Sequence, residues 1–288
     1  MTKLPLADRE FSTWEAAVQW LREQPDRREL VKAAYYDDPL LLAAQRYYGS
    51  EEWSAIRALL PARGGAALDV GAGRGIASYA LARGGFSVTA LEPDGSALVG
   101  AEAIRRLARE SSLPIDVCQE FSEQLPFSDG QFDVVFARAV LHHTRDLQSA
   151  CREFLRVLKP GGIFLAVREH VISRPEDLPS FFDLHPLHKL YGGENAYLLE
   201  KYVGAITAAG FVLSKVLSPL ESPINYAPHT RTSLQIEIAH RVGKRIPGLS
   251  RATSWLLGWP GVWAFLLPLF GRIDHRPGRL FSFICRRP

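Results

Sequence analysis

From Ala66 onward, short apolar runs alternate with segments whose apolar residues recur at helical spacing. The runs are ALDV (67–70), FSVTALE (86–92), FDVVFARAV (132–140) and GIFLAVRE (162–169). They are almost continuous in apolar side chains, as strands covered on both faces of a parallel sheet require. Between them lie IASYALARGG, DGSALVGAEAIRRLARES and RDLQSACREFLRVLKPGG, with Gly84-Gly85 and Gly161-Gly162 where those helices should stop. The alternation predicts an α/β fold: a doubly wound, Rossmann-like, mostly parallel sheet. Right-handed crossovers then bring the strand C-termini, and with them any ligand, to one edge.

Outside this core the pattern changes. FSTWEAAVQWLREQ reads as a helix, with Ser12 as its N-cap and Glu15 three residues on, as in a capping box. Asp38-Pro39 interrupts it, LLAAQRYY and EEWSAIRALL resume it, and Pro61 and Gly64-Gly65 close it. After His170 the order weakens: HPLHKLYGGENAY reads as a loop, and LLEKYVGAITAAGF (198–211) as a helix closed by Gly210. Three units follow: an N-terminal helical cap (1–62), a Rossmann-like domain (63–218) and a C-terminal extension (219–288).

The most informative turn is Asp69-Val70-Gly71-Ala72-Gly73-Arg74-Gly75, between the first strand and its helix. Glycine permits positive φ and close ligand approach, and the helix that follows offers free N–H groups to an anionic or strongly polar ligand. A dinucleotide wants G-x-G-x-x-G/A, but the sixth position here is Ile76, which speaks against a nicotinamide-dependent oxidoreductase. The pattern D/E-x-G-x-G-x-G is matched at every fixed position.

With LDVGAGRG, LEPD (91–94), LPFSDGQFDVV (125–135), AVLHHTRD (139–146) and REFLRVLKPGG (152–162) in that order, the chain resembles the class I S-adenosylmethionine-dependent methyltransferases from roughly residue 48 to 211. The resemblance implies S-adenosylmethionine as cofactor, with Gly71, Ala72, Gly73 and Gly75 along its amino-acid and ribose portion. It also implies Asp69 near the amino group, Glu92 on the ribose diol and Pro93 against the adenine. Asp69 as a mere cap of the next helix, and a non-catalytic binding protein, stay open beside this. One departure is Phe121, where related sequences carry an acid for the adenine amino group. Phe121 then packs on the ring while Ser122 reads the adenine edge, or Glu123 is the replacement acid.

Methyl transfer from a sulfonium needs alignment and water exclusion, and a base only for a hydroxyl or protonated amine acceptor. The resemblance therefore leaves open the acceptor, a small or lipid-attached molecule, and the atom methylated. Arg138 can meet the cofactor's amino-acid end or an anionic acceptor. His142 and His143 follow the fourth strand, and Glu169 and His170 end the fifth, so these four are the candidates for base or acceptor contact. His185 and His188 belong to a loop over the pocket, and no metal-ligand spacing accompanies them. Tyr35, Tyr36, Tyr47 and Tyr48 can line an acceptor pocket or pack the cap.

Composition bears on partners. With 288 residues and 47% hydrophobic content the chain can build a large core. The three cysteines have no metal spacing and no apolar leader is seen, so reduced, buried thiols in the cytoplasm are expected. The net charge of +3 divides into +8 from Pro223 to Pro288 and −5 elsewhere. In that basic tail SWLLGWPGVWAFLLPLFG (254–271) is uncharged, and Trp255, Trp259 and Trp263 share one face if it is helical. Tryptophans flanked by arginines suit peripheral contact with the inner membrane surface through 251–279. Packing on the domain or in a homodimer is the rival reading, and the two prolines argue against a span. The arginines are too scattered for a nucleic-acid site.

Overall fold

In the computed structural model, which describes residues 11–184, 187, 188, 191, 195–246 and 248–288, the apolar runs become neighbouring strands of one sheet. The strands are β1 (Gly65–Val70), β2 (Phe86–Leu91), β3 (Ile115–Cys118), β4 (Phe132–Arg138), β5 (Leu158–Ile172), β6 (Tyr197–Leu198), β7 (Val212–Leu217) and β8 (Arg279–Arg286). Their order is β3-β2-β1-β4-β5-β8-β7, with β6 paired to β5 off that path. β1 to β5 pair in parallel, whereas β8 runs antiparallel to both β5 and β7. The order reverses between β1 and β4, so the carboxyl ends of these two strands flank the crevice where an open α/β sheet takes its ligand.

The helical cap comprises α1 (Trp14–Arg22), α2 (Arg28–Ala33), α3 (Leu40–Tyr48) and α4 (Glu51–Arg57). α5 (Ile76–Arg83), α6 (Ala101–Ser111) and α7 (Leu147–Val157) cross over between strands. Strand side chains alternate between two cores. Leu68, Val70, Val135 and Ala137 pack with Phe154 of α7 and with Tyr202 and Ile206 of the helix Leu199–Ala208. Ala67, Val134 and Phe136 pack with Ala80 and Leu81 of α5 and with Tyr47, Trp53 and Ile56 of the cap. Burial on both faces is the reason these strands read as unbroken apolar runs.

Several expectations are corrected. The N-cap of α1 is Thr13, whose hydroxyl accepts from the Ala16 amide, not Ser12. Glu15 closes no capping box; its carboxylate accepts the Leu98 amide and ties the cap to the loop before α6. α5 does end at Gly84, but α7 ends at Val157, and Gly161-Gly162 lie inside β5, where pairing with β4 slips between Phe132 and Val134. Within the extension 219–288, β8 threads between β5 and β7 and buries Phe281, Phe283 and Cys285 in the main core.

The tryptophan spacing also resolves differently. The segments Ser250–Gly258 and Gly261–Gly271 are two helices bent by 99°. Pro260 opens the second helix, where its missing N–H costs nothing. Trp263 turns inward onto Tyr226, Leu234, Leu257 and Leu267, while Trp255 and Trp259 meet edge-on at 5.3 Å and remain 62% and 55% exposed. No single helix among the described residues is long and apolar enough to cross a membrane. All three cysteines are free thiols, Cys151 and Cys285 buried and Cys118 half-buried.

Candidate active site

The glycine loop takes the left-handed backbone that its composition anticipates. Gly71, Gly73 and Gly75 have φ of +59°, +54° and +81°. A Cβ on Gly71 would stand 2.8 Å from the Val140 side chain, so both conformation and space demand glycine. The Gly73 amide donates to Glu92 at 2.7 Å, and the Asp94 amide donates to the other Glu92 oxygen at 2.9 Å. Burial raises the Glu92 carboxyl against these two bonds. Asp69 is fully buried and accepts the Ser78 hydroxyl at 2.5 Å. Burial, opposed by that hydrogen bond, pushes its carboxyl up to about 7. Arg74, the residue between the last two glycines, donates to the carbonyls of Tyr35 and Asp37 and pairs with Asp38, which bolts the cap onto the loop.

These groups line one cavity of about 770 Å³, which reaches from Glu92 to the cap and to Gly278 and Leu280 of the C-terminal region. Pro93, Phe121 and Ser122 line it. Phe121 is half exposed, with the Arg145 guanidinium 4.1 Å above its ring, and is not a core residue. Glu123 also lines the cavity, and its carboxylate accepts the Arg145 amide at 2.7 Å. Of the four tyrosines, Tyr35 and Tyr36 line the cavity; Tyr47 is buried and Tyr48 packs near Trp53 and Tyr79.

The candidates on β4 and β5 separate into distinct roles. Arg138 reaches the cavity, but its guanidinium grips the buried Glu52 of α4 with both oxygens, at 2.7 and 3.1 Å. Glu169 does not reach the cavity: it is wholly buried and accepts the amides of Val140, Leu141 and His142. Its Oε2 also meets His142 Nδ1 at 2.7 Å. A carboxylate only accepts, so Nδ1 carries the proton and the imidazole lone pair sits on Nε2. Burial, with His143 and His188 nearby, holds His142 well below the ordinary histidine range. Burial does the same to His170, whose Nδ1 donates to the Gly278 carbonyl at 3.0 Å. At the cavity wall the His142 ring meets His143 at a tilt and His170 edge-on, and His188 packs against His170 and Phe181. His185 lies outside the described residues. Among the described residues no three His, Cys, Asp or Glu side chains converge as a metal site requires.

Residues 68–166 match the family of the methyltransferase domain. The chain is 32% identical over 164 residues to a ubiquinone biosynthesis O-methyltransferase of Methylobacterium sp. (strain 4-46), covering 55% of this chain and 61% of the relative. The chain thus carries a methyltransferase domain over residues 68–166. A second relative, a malonyl-[acyl-carrier protein] O-methyltransferase of Enterobacter lignolyticus (strain SCF1), is 37% identical over 42% of this chain and 46% of its own. The chain thus spans less than two thirds of either relative. In three dimensions the fold of this chain resembles a sarcosine dimethylglycine methyltransferase structure from Galdieria sulphuraria, with a TM-score of 0.58 and 18% identity over 94% and 98% of the two chains. The buried Asp69, held near neutrality and opening on the same cavity as Glu92, suits a ligand carrying an ammonium group and a diol.

Three residues escaped the sequence reading. Glu52, Arg74 and Arg168 are charged side chains lodged in apolar surroundings. Glu52 stands in EEWSAIRALL on the apolar face of its helix, and Arg168 interrupts the apolar run of β5. A charge placed in an otherwise apolar period was the available signal.

Proposed function

We propose that this methyltransferase moves a methyl group from S-adenosylmethionine to a hydroxyl of a small or lipid-attached acceptor, with His142 as general base. One observation carries the reading: a single cavity joins the Asp69–Glu92 glycine-loop site to His142, which is held by Glu169. Bound S-adenosylmethionine supplies a methyl on a good leaving group. Asp69 holds the ammonium, Glu92 the ribose hydroxyls, and Pro93, Phe121 and Ser122 the adenine. Glu169 fixes the His142 ring so that Nε2 receives the hydroxyl proton, and it stabilises the imidazolium that forms. His143 and His170 flank the base and exclude water. The names of the relatives, both O-methyltransferases, agree with an oxygen acceptor.

The reading extends to where the protein works. Trp255, Leu256, Trp259, Phe265 and Leu269 are exposed on the bent helix pair, and Arg251 at its start and Arg241 and Arg245 before it in the chain are exposed as well. Such a surface suits peripheral contact with the anionic cytoplasmic face of a membrane, and the acceptor would then be lipid-attached.

Titration calorimetry with S-adenosylhomocysteine, followed by turnover on candidate phenols, tests the core of this proposal. Glu169→Gln should leave cofactor affinity within about twofold and lower kcat by roughly 10²–10⁴-fold, the contribution of a positioned base. Full turnover in that variant, or wild-type protein that binds no S-adenosylhomocysteine, overturns the reading.

A further inference from the structure

Arg138 and Arg168 stand on adjacent strands, line the same cavity and converge on a single carboxylate. Arg138 occupies both oxygens of Glu52, while Arg168 approaches Glu52 Oε2 only to 4.0 Å. Glu52 is buried, so its one negative charge meets two guanidiniums. Tyr35 and Tyr47, with ring centres 5.7 and 5.4 Å from the Arg138 guanidinium, add attraction but no charge. Glu169 is committed to His142 and its amides, and Asp69, in the reading above, to the cofactor's ammonium. One positive charge is left over at the wall of the cavity.

The fold holds Arg168 there deliberately. Its φ is +62°, a left-handed conformation that a side chain of this size seldom adopts. It sits where the pairing of β5 with β8 slips between Ala166 and Glu169. Its amide donates to the Ser282 hydroxyl, Ser282 donates to Asn225, and the Asn225 amide group donates to the carbonyls of Leu217 and Ser218. Its Nη1 donates to the carbonyls of Ile224 and Ala227 at 2.8 and 3.0 Å. Carbonyls orient a guanidinium without neutralising it. The C-terminal region therefore aims this charge, and the same region supplies Pro228, Gly278 and Leu280 to the cavity.

We infer that Arg168 binds a carboxylate carried by the methyl acceptor, so that the enzyme selects acidic acceptors over neutral ones. The inference rests on the methyl-transfer reading for the word acceptor. The other source of a carboxylate in this site is the cofactor itself, and the experiment separates the two.

Full-length protein saturated with S-adenosylhomocysteine is titrated calorimetrically with 4-hydroxybenzoate and with its neutral counterpart 4-hydroxybenzamide. The benzoate should bind roughly tenfold or more tightly than the amide, the scale of a charge-assisted hydrogen bond. Arg168→Met should abolish that preference and leave S-adenosylhomocysteine affinity within about twofold. Arg168→Lys, which keeps the charge, should retain part of it. Equal binding of the two probes, no measurable benzoate binding, or an undiminished preference in R168M overturns the inference. Loss of S-adenosylhomocysteine binding in R168M with an unchanged circular dichroism spectrum also overturns it, because Arg168 then serves the cofactor's carboxylate. If R168M does not fold, the wild-type pair and R168K decide. A wild type that binds no S-adenosylhomocysteine defeats the methyl-transfer reading, whereas a loaded protein that ignores the anion defeats only this inference.

Discussion

At the scale of single residues, Asp69 shows how burial sets function. The carboxyl is pushed to about 7 by desolvation, so near neutral pH the empty site holds it partly protonated. An ammonium ligand needs the carboxylate. Cofactor binding should therefore release a proton from Asp69 and strengthen as pH rises through about 7, then level off. Calorimetry of S-adenosylhomocysteine binding between pH 6 and 8, in buffers of different ionisation enthalpy, measures both. Asp69→Asn should flatten the profile and weaken binding roughly 10–100-fold, the loss of a hydrogen bond to a charged group. Asp69 and Glu92 were legible because each ends an apolar run, where a strand meets the ligand edge. His142 and Glu169 were legible only as candidates, since nothing in either segment says that the two side chains meet.

At the scale of elements, β8 decides whether the sheet is complete. It pairs with β5 on one side and β7 on the other, and Phe283 is wholly buried between helices and sheet. Phe283→Ala should cost about 3–5 kcal/mol, read from denaturant unfolding, because the site cannot collapse around the lost ring. A change of that size with an unaltered S-adenosylhomocysteine affinity would separate the strand's structural role from the cofactor site. The four strands between β1 and β5 that carry apolar runs were readable from periodicity because their neighbours bury both faces. β3 and β8 were not. β3 has only four residues, and only Ile115 among them is buried. RLFSFICR is flanked by arginine and proline and reaches its place in the sheet only through a long excursion.

At the scale of the whole molecule, the proposed membrane contact rests on the basic, tryptophan-bearing helix pair. Its exposed face includes Trp255 at 62% and Phe265 at 72%. Co-sedimentation with vesicles of phosphatidylglycerol and phosphatidylcholine should show binding that weakens between low and high salt, as screening of arginine contacts demands. Trp255→Ser with Trp259→Ser should reduce it, while neutral vesicles should bind less. Salt-independent binding, or none, would assign this face to a second copy of the chain, which sedimentation velocity would detect. The uncharged run and its arginines were visible in the sequence, but their division into an inward Trp263 and an outward pair was not. A bend of 99° at the Trp259-Pro260 junction breaks the one-face arithmetic that holds along a straight helix.

The sequence by itself determined the α/β class, the parallel core, the glycine loop and the edge at which a ligand binds. These follow from local rules: apolar period, the backbone freedom of glycine, and crossover handedness. The tertiary structure alone decided which charges meet. Arg138 finds Glu52 across 86 residues, Glu169 finds His142 across 27, and the Arg168 amide finds Ser282 across 114. Whether a buried charge is neutralised or left over depends on partners brought together by packing, and no local pattern encodes that distance.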